Sequence, residues 1–181
     1  MFTQHGRTFG TLAVSAAIVL AALAAQTSAQ SPTVRSDLVQ EWSQMKETMM
    51  QVAEAMPEEK FGFKPVPALR SYGEQLLHVA DDNINLLKLL GAQDVPAPAI
   101  DRKAMTKKAI LKQVGDSYDF GSSILARQTD ASITDPVHLT NWNGTRARLV
   151  WAAIGHAWDE YGVMTVYLRL NGIVPPASRG K

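Results

Sequence analysis

Apolar residues recur at intervals of three and four along most of the chain, and four stretches hold that period long enough to predict α-helices. The first runs from about Val34 to Met56, with Leu38, Trp42, Met45, Met49, Val52 and Met56 along one side and Pro57 as its stop. The second runs from about Ser71 to Leu90, where Ser71 followed three residues later by Glu74 has the form of a capping box and Gly91 marks the exit. The third, from about Arg102 to Gln128, aligns Ile110, Val114, Tyr118, Ser122 and Leu125. The fourth, from about Thr145 to Leu170, ends at Asn171-Gly172, and Pro175-Pro176 forbids its continuation.

Between these helices lie "PEEKFGFKPVPALR", the Pro-rich "GAQDVPAPAID" and the longer "TDASITDPVHLTNWNG". The last exceeds most helix–helix loops, and loops of that length are disproportionately functional or partner-facing. No strand pattern, internal repeat or second domain is expected. Four long amphipathic helices with such connections predict an all-α chain folded as a four-helix bundle over residues 30–181.

The first 29 residues differ in kind. Arg7 is their only charged side chain, "TLAVSAAIVLAALAA" from Thr11 to Ala25 is a short apolar run, and Ala29 is a small residue placed for cleavage before Gln30. A membrane span needs roughly 20 apolar residues with anchoring flanks, so the stretch reads as a secretory signal peptide. The expected destination is the periplasm or the medium, with no stable membrane anchor after cleavage. The chain holds 18 Lys and Arg against 17 Asp and Glu, and loss of Arg7 brings the two into balance, which gives no electrostatic case for nucleic acid. Absence of cysteine excludes disulfides, thiolate catalysis and Cys-based zinc sites. The sequon Asn143-Gly144-Thr145 matters only in a glycosylating host.

Candidate chemistry comes from polar residues where the period calls for apolar ones. On the fourth helix Leu149, Ala153, His156, Glu160, Val163 and Tyr167 share one side, and His156 and Glu160 interrupt it at a spacing that lets both reach one metal ion. A carboxylate left unpartnered on such a face costs several kcal/mol, so a cation, a donor or water must compensate. His78 lies on a flank of the second helix shared with Ser71, Gln75, Asp82 and Asn85, which places a site at the side or mouth of the bundle. Asp82, one turn beyond His78, can ligate or orient it, although "ADDN" reads more readily as a solvated face. Asp159 is expected to face outward, His138 to be a loop residue, and Trp142, Trp151, Trp158, Tyr161 and Tyr167 to form core or pocket wall. No Gly-x-Ser-x-Gly elbow and no phosphate-cradling glycine loop is present.

"SYGEQLLHVADDN" after "FKPVPALR", followed at the end by "HAWDEYGVMTVYLRLNGIVPPAS", resembles the DinB-like (DinB/YfiT) superfamily over most of residues 34–178. The resemblance implies a four-helix bundle that often holds a divalent metal, with a histidine on the second helix and a His-x-x-x-His pair on the last. Those ligands map to His78, His156 and position 160, where this chain has Glu in place of His. Two histidines and one carboxylate form an acceptable set for zinc, nickel, manganese or iron, harder and more anionic than three histidines. Two functions follow as expectations: a metal-dependent hydrolase or transferase acting on a small molecule, or a non-catalytic exported bundle that binds a small molecule or partner after losing the metal. Related bundles also imply pairing as a homodimer.

Overall fold

Each of the four α-helices starts where a hydroxyl side chain can satisfy the first free amides, which is why the boundaries fall where they do. The computed structural model describes residues 31–180 apart from 92 and 141, so the leader expected over residues 1–29 lies outside the described residues. Helix α1 (Val34–Ala55) opens on a reciprocal pair: Thr33 Oγ1 accepts from the Ser36 amide at 3.1 Å, and Ser36 Oγ accepts from the Thr33 amide at 2.8 Å. Helix α2 (Tyr72–Leu87) has the capping box read from the sequence, Ser71 with Glu74. Helices α3 (Lys107–Ala126) and α4 (Arg146–Leu170) are capped by Thr106 and Thr145.

The ends also follow from residue type. A 3₁₀ turn, Lys88–Leu90, prolongs α2 and stops at Gly91, whose φ of 84° is left-handed. Beyond α4 the Ile173 amide bonds the Leu168 carbonyl and the Gly172 amide bonds the Arg169 carbonyl, a Schellman closure with Gly172 at φ 74°. Helix α3 starts at Lys107 rather than near Arg102; Thr106 takes the cap, and Arg102 stays in the preceding loop, paired with Asp81.

Helix α1 packs on α3 and α4, and α2 packs on the same two, so α1 and α2 face each other across the bundle rather than side by side. Consecutive helices on a diagonal need long connections, which accounts for the segments after α1 and α3. The expected stripes do form the core: Trp42, Met45, Met49 and Val52 from α1, Val114, Tyr118 and Leu125 from α3, and Leu149, Ala153 and Tyr167 from α4 pack with Leu76, Ala80 and Leu87 from α2. The Trp42 indole N–H donates to the Tyr118 carbonyl at 3.0 Å. That approach requires Gly121, since a Cβ there would lie 2.3 Å from Trp42 Cζ2. Ser122, expected on this face, is exposed.

Two further expectations are corrected. The segment before α4 is not strand-free: β1 (Pro136–Leu139) pairs antiparallel with β2 (Trp142–Thr145), Pro136 opposite Thr145 and Leu139 opposite Trp142. Val137 and Leu139 turn inward while Pro136 and His138 turn outward, the period of two that a half-buried strand needs. Trp151 and Trp158 are not core, at 67% and 39% exposed. They lie on the side of α4 away from its buried residues, and only the Trp158 N–H is anchored, on Glu41 at 3.1 Å. Among the described residues no helix is long and apolar enough to cross a membrane.

Candidate metal centre

Because α2 and α4 are neighbours, polar residues one turn apart on each are brought face to face. His78 and Asp82 come from α2, His156 and Glu160 from α4. The Nε2 of His156 lies 3.2 Å from Asp82 Oδ2 and 3.5 Å from Glu160 Oε1. The Nε2 of His78 lies 3.4 Å from Glu160 Oε1 and 3.6 Å from Asp82 Oδ2. Both imidazoles thus turn the same nitrogen toward the same two carboxylates, with ring centroids 5.1 Å apart and planes nearly perpendicular. His156 Nδ1 is buried and has no partner among the described residues, which leaves Nε2 as the polar contact of that ring.

The two carboxylates differ in setting. Asp82 is half-buried, as are both histidines, whereas Glu160 is buried and needs a donor for its second oxygen. Gln75, one turn before His78 and equally buried, supplies it through Nε2 to Glu160 Oε2. That bond aims Oε1 at the histidines. Tyr167 closes the wall: its hydroxyl donates to the Arg70 carbonyl at 2.9 Å, and burial, then the Glu160 charge, hold that hydroxyl above its ordinary pKa.

The donor set suits a divalent metal. One atom from each of His78, Asp82 and His156 lies within 4.8 Å of the others, and imidazole nitrogens with carboxylate oxygens are acceptable ligands for zinc, manganese, iron or nickel. Two open cavities flank the cluster. One, of about 550 Å³, is lined by His78, Leu77, Glu74 and Asp81 together with Lys64, Arg70 and Arg102. The other, of about 580 Å³, is lined by Gln75, Glu160, Val163 and Tyr167, and Arg70 again.

A family model described as the DinB family matches residues 26–180. The chain belongs to the DinB family. Its fold agrees with solved DinB-like structures: one from Bacillus cereus superposes with a TM-score of 0.66 at 17% identity, covering 77% of this chain and 93% of that one. Another, from Bacillus subtilis, gives 0.60 at 17% identity, with 75% and 92% covered. No curated protein matches this chain.

Within this DinB fold the structure brings together His78, His156 and Glu160, the residues singled out in the sequence. Asp82, read there as a solvated face, instead lies among them, because α4 packs against the side of α2 that a single-helix projection leaves open to water. Gln75, on the flank that His78 and Asp82 share, takes its role only from the fold; its spacing of three to His78 and seven to Asp82 is the signal that it shares their face. Asp159 is exposed, as expected. His138 is bonded to Asn143 across the hairpin through Nδ1 at 2.9 Å and takes no part in the cluster.

Proposed function

We propose that this DinB-family protein holds one divalent metal ion between α2 and α4, with His78 and His156 as nitrogen donors and Asp82 and Glu160 as carboxylate donors. We further infer that it acts, after export, as a metal-dependent hydrolase or transferase on a small molecule. One observation carries the reading: each histidine Nε2 faces two carboxylate oxygens at 3.2–3.6 Å. Two neutral imidazoles and two carboxylates carry two negative charges, which a divalent ion balances. Such an ion, when bound, supplies Lewis acidity to an oxygen of water or substrate. The protein's own part is orientation and access. Gln75 fixes the Glu160 carboxylate, and the centre borders the flanking cavities through His78 on one side and Glu160 on the other.

The same contacts favour a second reading, in which protonated histidines pair with Asp82 and Glu160 and the bundle binds without catalysis. Metal content separates the two. The untagged protein, incubated with zinc, nickel, manganese or iron and desalted, is expected to keep about one ion per chain by mass spectrometry, and His156→Ala and Asp82→Ala to lose it. No retained metal in the parent chain overturns the metal reading. Export is supported by the leader-like first 29 residues, and an exported protein whose N-terminus is Gln30 is the expected result of fractionation and terminal sequencing.

A further inference from the structure

Three cations stand at the mouth of the candidate centre: Lys64 and Arg70 from the segment joining α1 to α2, and Arg102 from the loop before α3. Two of them are already matched. Lys64 Nζ lies 2.9 Å from Glu74 Oε2, and the Arg102 guanidinium pairs with Asp81. Arg70 is different, for among the described residues no carboxylate lies within ion-pair distance of its guanidinium. It is also the one cation that lines both cavities, the one reaching His78 and the one reaching Glu160 and Gln75.

Its backbone is held while its head stays free. The Arg70 carbonyl accepts from the buried Tyr167 hydroxyl at 2.9 Å, and the next residue, Ser71, caps α2. Arg70 therefore lines both cavities from a fixed backbone anchor, and its guanidinium is a planar fork of donors suited to two oxygens of one anion. Cavities of about 550 and 580 Å³ are of small-molecule size.

We propose that Arg70 is the anion anchor of this site, and that the protein takes a small molecule bearing an oxyanion group, a carboxylate or a phosphate, bound by Arg70 with the rest of the molecule lying toward the centre. The proposal rests on the metal reading only for the far end of that molecule; the Arg70 contact is independent of it. A neutral substrate would leave the guanidinium unused, and a cationic one would be repelled by it.

The test follows the Arg70 Nε–Hε resonance of the full chain during titration with inorganic phosphate and, separately, with acetate. It is run on zinc-loaded and on chelator-treated protein. The expected result is a saturable shift with at least one anion in both forms, with affinity at least about ten-fold weaker in Arg70→Gln as read from neighbouring amides. Zinc content in Arg70→Gln is expected to equal that of the parent chain. Saturation by phosphate alone assigns a phosphoryl group, and saturation by acetate alone a carboxylate. No saturable shift with either anion, or equal affinity in Arg70→Gln, overturns the proposal. Because the chelated arm reads Arg70 without metal, failure of zinc binding and failure of the anion anchor are distinguished.

Discussion

Replacing Gln75 with Leu tests whether the candidate centre is held by the bond that aims Glu160. The two side chains are similar in size, so packing against the neighbouring α4 is kept while the N–H donor to Glu160 Oε2 is removed. Gln75 is 5% exposed and Glu160 7%, so only water entering from the cavity that both residues line can take the donor's place. A hydrogen bond to a charged group contributes about 1.5–3 kcal/mol, and its loss here strands a buried acceptor, so about 2 kcal/mol of stability should go. For a domain of this size that corresponds to a fall in Tm of about 4–8 °C. Urea unfolding of parent and variant at neutral pH with chelator present measures it without any contribution from metal. Zinc affinity, measured by competition with a chromophoric chelator, should weaken about 10- to 100-fold, since a carboxylate without its supporting donor loses orientation. Gln75→Glu, which sets a second negative charge against Glu160, should be more damaging to the metal-free protein than Gln75→Leu. An unchanged unfolding midpoint together with unchanged zinc affinity in Gln75→Leu would refute the reasoning.

Two glycines of α3 should respond in opposite directions. Gly121→Ala sets a methyl 2.3 Å from Trp42 and 2.6 Å from Leu87 Cδ1 and should cost about 2 kcal/mol in urea unfolding despite the better helix propensity. Gly115→Ala, with open space at its Cβ, should gain up to about 1 kcal/mol. Tyr167→Phe removes the donor to the Arg70 carbonyl and should cost about 1 kcal/mol, read from the same unfolding curves. Glu74 is held below its ordinary value of 4.5 by the Ser71 amide first and then by Lys64. A carboxyl lowered on folding contributes stability above its unfolded value, and that contribution disappears as pH falls through the folded value. Relative to Glu74→Gln, which keeps the capping geometry, the parent should therefore lose stability below about pH 4.5. Because Glu74 is exposed the difference should stay within about 1 kcal/mol, as measured by the pH dependence of the unfolding midpoint.

The bundle was legible because its signals are local. A run such as Trp42, Met45, Met49 and Val52 needs no knowledge of its partner to announce a helix, and Ser71 with Glu74 announces where one begins. The half-site on α4 was legible for the same reason: His156 and Glu160 interrupt a face that should be apolar. What stayed hidden depends on which sides of the helices meet. Asp82 is indistinguishable from a solvated residue until α4 is laid beside α2, whereas Trp151 and Trp158 fall opposite the Leu149–Tyr167 side by spacing alone, a signal outweighed by the usual preference of aromatic side chains for the core. The hairpin was missed because Val137 and Leu139 give only two inward positions, too short a run to show a period of two against the loop chemistry around it.

The central claim, that His78, Asp82, His156 and Glu160 surround one metal ion, is tested most directly by crystals of the zinc-loaded protein with data collected above and below the zinc absorption edge. The account predicts a single strong anomalous peak between α2 and α4, within ligand distance of both histidine Nε2 atoms and of at least one of the two carboxylates. No peak at that position, with the four side chains still in contact at 3.2–3.6 Å, would contradict it.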